Sequence, residues 1–122
     1  SLHDALPISK IHICGNISAI LPSVIRTGAD IIDIDQRTGP VTEVLGLMRP
    51  GQVFSGKSDP VSVVQDGDRD MIRTSCRSFF AEAGRRAILS AGCEVTPGTP
   101  VENLRFFSGM AGELLPAAGR LE

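Results

Sequence analysis

The sequence contains no tryptophan and no tyrosine, and it has no large excess of charge of either sign. With so few aromatic side chains, it lacks the stacking platforms on which single-stranded nucleic acids bind. The net charge of -2 offers no basic surface to phosphate groups, and no apolar run is long enough to cross a bilayer. Three cysteines cannot complete a disulfide framework. We therefore expect a cytoplasmic globular protein with no nucleic-acid or membrane partner, whose cysteines are thiols or metal ligands.

The first eight residues differ in character from the rest of the chain. The run HDALPI within them resembles the translation of a short sequencing adapter. We therefore expect residues 1–8 to be non-native and leave them out of the fold prediction, as is done for processing segments; a genuine N-terminal loop is the alternative. Residues 9–118 are expected to form the folded unit, and residues 119–122 a short tail.

Beyond this segment, short apolar runs alternate with segments of helical length. Strands are predicted at residues 10–14, 29–35, 52–56 and 86–91. Helices are predicted at residues 18–26, 40–48, 68–83 and 99–115. Such alternation is typical of parallel strands joined by right-handed helical crossovers. Four units leave two sheet edges open, whereas a complete barrel has eight units and about 250 residues. The pattern favours an α/β fold that is half of a (β/α)₈ barrel; an independent four-stranded domain stays open.

Two helix starts carry capping signals. Ser18 is expected to be the N-cap of the first helix. Thr99 is expected to be the N-cap of the last helix, with Pro100 at its first position and Glu102 completing a capping box. The longest helix has an apolar stripe that includes Cys76, which is therefore expected to be a core residue.

Three potential metal ligands follow the ends of two predicted strands. His12 and Cys14 share one face at the end of the first strand, because residues two apart on a strand point the same way. Cys93 follows the end of the fourth strand. Because functional groups gather at the carboxyl ends of parallel strands, the three side chains are expected to meet. One imidazole and two thiolates suit zinc, with a fourth position left open.

Asp35 ends the second predicted strand on the same rim. We expect it to act in the site, either as a displaceable fourth ligand or as a hydrogen-bond partner that orients His12. Structural alternatives stay open: a hydrogen-bonded core histidine at position 12, small buried hydrophobes at Cys14 and Cys93, and a turn cap at Asp35.

Short motifs in order along the chain resemble those of the uroporphyrinogen decarboxylase superfamily. They correspond to its H-x-C-G-N, G-x-D … D, G-N-x-D-P and G-C-x … T-P-x-E-N segments. In this sequence they are His12-Ile13-Cys14-Gly15-Asn16, Gly28-Ala29-Asp30 with Ile34-Asp35, Gly56 with Asp59-Pro60, and Gly92-Cys93-Glu94 with Thr99-Pro100-Val101-Glu102-Asn103. One departure stands in the third motif, where Lys57 and Ser58 replace an Asn and an apolar residue.

The resemblance implies that the chain is the C-terminal half of a (β/α)₈ barrel. Corrinoid-dependent methyltransferases of this superfamily use the H-x-C and the late G-C as zinc ligands, whereas classical uroporphyrinogen decarboxylases need no metal. The presence of His12, Cys14 and Cys93 therefore favours the methyltransferase branch. Its members take a methyl group from a methylated corrinoid protein and give it to a thiol such as coenzyme M. The implied cofactors are Zn²⁺ and the corrinoid on its partner protein.

Two other functions are compatible with the sequence. A decarboxylase acting on a tetrapyrrole would bring cationic side chains to the pocket, and Arg37 is the one candidate, although a solvated loop arginine is the simpler interpretation. A non-catalytic corrinoid- or metal-binding partner domain would bind zinc without turnover. In either enzyme, the fragment alone is expected to be inactive.

Overall fold

A computed structural model describes residues 7–115 of the chain. Most of the segment expected to be non-native, and the whole predicted tail at residues 119–122, lie outside the described residues. Within that range, the helices and strands form one alternating series of β/α units.

The sheet has four parallel strands in the order in which they occur along the chain. They are β1 (Lys10–Ile13), β2 (Ile31–Ile34), β3 (Val53–Ser58) and β4 (Ala87–Ala91). In register, His12 lies beside Asp33, and Asp33 lies beside Ser55. This sequential parallel order is the arrangement of neighbouring strands in a (β/α)₈ barrel. The predicted α/β fold with four parallel units is confirmed.

Four helices follow the strands. They are α1 (Leu21–Arg26), α2 (Val41–Leu47), α3 (Arg69–Ala83) and α4 (Val101–Leu114). The first three contribute to one apolar core against the sheet, whose centre includes the fully buried Leu21, Ile32, Val44 and Phe54. A second cluster lies between α3 and α4 and contains Cys76, which is 0% exposed. Burial raises the pKa of the Cys76 thiol to about 11. The prediction of a core cysteine is confirmed.

The two faces of the sheet differ in polarity. Ile32 and Ile34 of β2 belong to the apolar core beneath the helices. Since side chains alternate along a strand, Asp33 belongs to the opposite face, and the register places His12 and Ser55 on that face as well. Near the carboxyl ends of the strands, the face turned away from the helices therefore carries polar side chains, and the site described below lies there.

Both predicted helix caps are wrong. The chain begins a 3₁₀ turn at Ser18–Ile20 before α1, and the Oδ1 of Asn16 accepts from the Ser18 N–H at 3.0 Å. The capping side chain is thus two residues earlier than expected. At α4, Pro100 takes the N-cap position without a side-chain cap, because the Thr99 hydroxyl donates instead to the Thr96 carbonyl at 2.8 Å. The expected capping box between Thr99 and Glu102 does not form.

A π-helical segment at Pro60–Gln65 follows β3, in a stretch for which neither a helix nor a strand was predicted. The Asp59 side chain caps it, accepting from the Val61 N–H at 2.9 Å and the Ser62 N–H at 3.0 Å. Its far end is held by Asn103 of α4, whose Nδ2 contacts the carbonyls of Val64, Gln65 and Gly67. None of the helices in the described residues is long and apolar enough to traverse a membrane.

Candidate metal centre

The first two potential ligands lie at the carboxyl end of β1. His12 is in the strand and Cys14 is the first residue after it, so their side chains extend from the same face. The His12 Nε2 lies 3.2 Å from the Cys14 Sγ. Gly15 then turns the chain with a φ of 83°, a conformation that glycine adopts without a steric cost.

The third potential ligand comes from the opposite edge strand, at the same carboxyl end of the sheet. Cys93 follows β4 after Gly92, which leaves room for the neighbouring loop: a Cβ at Gly92 would lie 2.6 Å from the Gln36 backbone nitrogen. The Cys93 Sγ lies 3.6 Å from the Cys14 Sγ. One ligand atom from each of His12, Cys14 and Cys93 lies within 4.8 Å of the others. The structure therefore brings together the three residues that the sequence predicted to meet.

This donor set is chemically suited to zinc. One imidazole nitrogen and two sulfurs are borderline-soft ligands, and three protein ligands leave a position for a further molecule. The hydrogen bond with Cys93 is the main cause that raises the pKa of the Cys14 thiol, with burial and nearby negative charges adding to it. A cavity of about 430 Å³ adjoins the cluster. Its walls are His12, Cys14, Asp33, Ser90, Ala91, Cys93 and Glu94.

Asp35 is engaged by backbone donors of the rim loops. Its Oδ2 accepts from the Gly15 N–H and its Oδ1 from the Arg37 N–H, both at 2.9 Å, and the residue is only 4% exposed. Within residues 7–115 no hydrogen bond or ion pair joins Asp35 to His12, and the expectation that Asp35 is the partner of His12 stays a prediction. Asp35 fixes the turn immediately after Cys14. Its assignment as a displaceable fourth ligand stays a prediction.

The carboxylate beside His12 belongs to Asp33, which the sequence analysis missed. The Asp33 Oδ2 lies 3.4 Å from the His12 Nδ1 and 2.7 Å from the Lys10 Nζ. Asp33 lies within β2 and pairs in register with His12, whereas Asp35 is the first residue after the strand. The register of β1 against β2 was the missing signal, since it places Asp33 directly beside His12.

Lys57, the departure from the family motif, stabilises the loop after β2. Its Nζ donates to the carbonyls of Gln36 and Gly39 at 3.0 Å each, and also to the carbonyl of Thr38. Burial lowers the pKa of this ammonium group, against the opposing effect of Asp35 and Glu82. Arg37 in the same loop is exposed, as expected for a solvated arginine.

Fold and site together define a class of protein: parallel β/α units of the barrel type with a histidine and two cysteines at the carboxyl ends of the edge strands. The family model described as uroporphyrinogen decarboxylase (URO-D) matches residues 2–114. The chain belongs to the uroporphyrinogen decarboxylase family.

Relatives within this family differ in activity. The chain is 32% identical over 95 residues to a methylcobamide:CoM methyltransferase, MtbA, from Methanosarcina mazei, covering 78% of this chain and 27% of that protein. It is 28% identical over 104 residues to a uroporphyrinogen decarboxylase from Gloeobacter violaceus, covering 84% and 29%. The chain thus spans less than a third of the length of either relative.

A solved structure supports the fold. A methyltransferase from Methanosarcina mazei superposes with a TM-score of 0.75 at 23% identity, over 85% of this chain and 30% of the other. At this identity, the likeness establishes the fold. The family includes methyltransferases as well as decarboxylases, so the choice between these activities depends on the site.

Proposed function

We propose that the chain supplies the zinc site of an enzyme that moves a methyl group from a methylated corrinoid protein to a thiol acceptor such as coenzyme M. The observation that carries this proposal is the convergence of His12, Cys14 and Cys93 within 4.8 Å. The similarity to a methylcobamide:CoM methyltransferase supports it. The whole enzyme requires the barrel units that this chain lacks, so the chain alone is expected to be inactive.

The chemistry follows from the ligand set. His12, Cys14 and Cys93 would hold the metal, and zinc in such a site would supply Lewis acidity that favours the thiolate form of an acceptor thiol. The chain's own contribution is to fix the three ligands. His12 and Cys14 are held by β1, and Asp35 holds the Gly15 turn beside Cys14 through a 2.9 Å hydrogen bond. In this proposal Asp35 is a positioning residue for Cys14.

The cavity at the cluster suits a small acceptor. Its volume is about 430 Å³, and its walls carry the three potential ligands together with polar groups of Asp33, Ser90 and Glu94. A small thiol reaching this space would have its sulfur next to both cysteines. The corrinoid of the partner protein would supply the methyl group at this opening, and the chain's own side chains would hold the acceptor there.

The test uses a full-length protein that contains this segment. It is supplied with zinc, methylcobalamin and coenzyme M, and demethylation of the corrinoid is followed by its absorbance. We expect turnover in the parent and a loss of at least about 10- to 100-fold in Cys14→Ser and Cys93→Ser variants, because loss of a ligand should cost at least as much as loss of a residue that only orients one. A Cys76→Ala variant, altered in the apolar core, is the matched control and should retain activity. Full activity in both ligand variants would rule the proposal out.

A uroporphyrinogen decarboxylase-type carboxy-lyase is the second candidate, supported by the relative from Gloeobacter violaceus. It would use cationic side chains for the substrate carboxylates, and Arg37 is exposed on the rim loop after β2. The two candidates predict opposite responses to a chelator. Removal of zinc should abolish methyl transfer, whereas decarboxylation of uroporphyrinogen should continue unchanged and fall in an Arg37→Ala variant.

A further inference from the structure

The two ring nitrogens of His12 face different groups. Nε2 lies 3.2 Å from the Cys14 Sγ, on the side where the three potential ligands converge. Nδ1 lies 3.4 Å from the Oδ2 of Asp33. A neutral imidazole carries its hydrogen on only one nitrogen, and a carboxylate beside Nδ1 attracts that hydrogen.

Asp33 is held in place from several sides. It is 6% exposed, and its Oδ2 lies 2.7 Å from the Lys10 Nζ, which partly balances the carboxylate charge. Gly56 of β3 makes room for it, because a Cβ there would lie 3.0 Å from the Asp33 Oδ1. That Oδ1 is buried and has no hydrogen-bond partner among the described residues.

Such a carboxylate is costly for the fold. Burial of a charged group without full hydrogen bonding destabilises the folded state, and an apolar residue would suit this strand position at lower cost. Ile31 and Val53, on the same face of β2 and β3, show that this face accommodates apolar side chains. The carboxylate at position 33 therefore needs a role beyond stability, and the imidazole beside it supplies one.

We infer that Asp33 is a positioning residue that keeps the hydrogen of His12 on Nδ1 and leaves the Nε2 lone pair directed at the cysteine sulfurs. The Lys10 ammonium group lies 2.7 Å from the same carboxylate oxygen and helps to hold Asp33 beside the imidazole. This inference rests on the proposed function for the identity of the metal, but the tautomer is a property of the metal-free chain.

The tautomer is measured by long-range ¹H–¹⁵N NMR of the metal-free 122-residue chain. His3 is the other histidine of the sequence, so a His3→Gln variant leaves His12 as the sole source of the signals. We expect the Nδ1–H form to dominate at a pH above the imidazole titration, although free histidine in water favours Nε2–H. If the Nε2–H form dominates in this chain, the inference is overturned before any Asp33 variant is made.

Variants then assign the effect to the carboxylate. Asp33→Val removes the acceptor and suits a strand, and Asp33→Asn keeps the shape with a weaker acceptor. Asp30→Asn is the matched control at the residue before the same strand, where the aspartate contacts Ser9 instead of the site. We expect the Nδ1–H fraction to fall most in Asp33→Val and zinc affinity to drop about 10- to 100-fold, while the control matches the parent.

The outcomes separate this inference from the proposed function. Dispersed amide spectra identify folded variants, and the isosteric Asn variant serves if the Val variant unfolds. An unchanged tautomer and unchanged zinc affinity in a folded Asp33 variant would overturn the role of Asp33 and leave the methyltransferase proposal standing. If the chain shows the expected tautomer but binds no zinc, Asp33 is supported as a positioning residue and the proposed zinc-dependent function is contradicted.

Discussion

The sulfur atoms of Cys14 and Cys93 lie 3.6 Å apart, although the two residues are separated by 79 positions and follow opposite edge strands of the sheet. A disulfide needs an S–S distance of about 2.03–2.05 Å, so a modest movement of two side chains would join them. Cys76 is buried in the core between α3 and α4 and is remote from this pair.

Mild oxidation of the metal-free chain should therefore cross-link Cys14 to Cys93. With hydrogen peroxide as the oxidant, the two thiols lose two hydrogens and the peroxide is reduced to water. Intact mass should fall by two hydrogens and titratable thiols should drop from three to one. Prior loading with zinc should protect the pair. Peptide mapping that finds Cys76 in the disulfide would contradict the geometry, and a Cys76→Ala variant should still cross-link.

Gly56 is the position at which a side chain is least tolerated in β3. An added Cβ would lie 2.2 Å from the Ile34 carbonyl oxygen, and the φ of 99° disfavours any other residue. Gly56→Ala should lower the free energy of unfolding by about 2 kcal/mol or more, as measured in urea. Gly46→Ala in α2 is the matched control, since nothing lies within 4 Å of its Cβ. The control should gain up to about 1 kcal/mol. Equal effects of the two changes would contradict this strand packing.

Asp59 should stabilise the π-helical segment after β3. Burial acts to raise the pKa of Asp59, but backbone hydrogen bonds from Ser62 and Val61 outweigh it, so the pKa lies below the usual 3.8. Asp59→Ala should cost about 1 kcal/mol at neutral pH, as for other helix caps. Because the pKa is lowered on folding, this contribution is present above pH 3.8 and is lost as the pH falls through the folded pKa.

The free energy of unfolding measured at acid pH tests this prediction for Asp59. Chemical denaturation of the parent and Asp59→Ala chains should give a difference that shrinks steadily below pH 3.8. Asp70→Ala alters a carboxylate that is 94% exposed on α3 and is the matched control. A difference between parent and Asp59→Ala that stays constant down to pH 2 would show that Asp59 acts by packing rather than by accepting hydrogen bonds.

Lys57 should hold the loop that carries Asp35 and Arg37. Its ammonium group donates to three backbone carbonyls, and Lys57→Met keeps the aliphatic stem while removing the donors. We expect the free energy of unfolding to fall by about 1–3 kcal/mol and hydrogen exchange at the Arg37 amide to become faster, because the carbonyls lose a half-buried donor. Arg77→Met, an exposed change on α3, should leave both quantities unchanged. Unaltered exchange at Arg37 in Lys57→Met would exclude this role.

The parts of the site that the sequence predicted depend on topology alone. Alternating β/α segments imply parallel strands, and parallel strands place His12, Cys14 and Cys93 at one edge whatever the details of packing. The parts that the sequence did not predict depend on which of two nearby side chains makes a given hydrogen bond or ion pair. Asn16 caps in place of Ser18, and Asp33 rather than Asp35 faces the imidazole, because these choices follow from strand register and loop geometry.

Zinc binding by the 122-residue chain tests the central claim most directly. Metal analysis after dialysis should find one zinc per chain, and X-ray absorption should show one nitrogen at about 2.0–2.1 Å and two sulfurs at about 2.3 Å. Cys14→Ser and Cys93→Ser should each lose the metal, while Cys76→Ala should retain it. A folded chain that binds no zinc, or that binds it equally well without Cys14 or Cys93, would contradict the account.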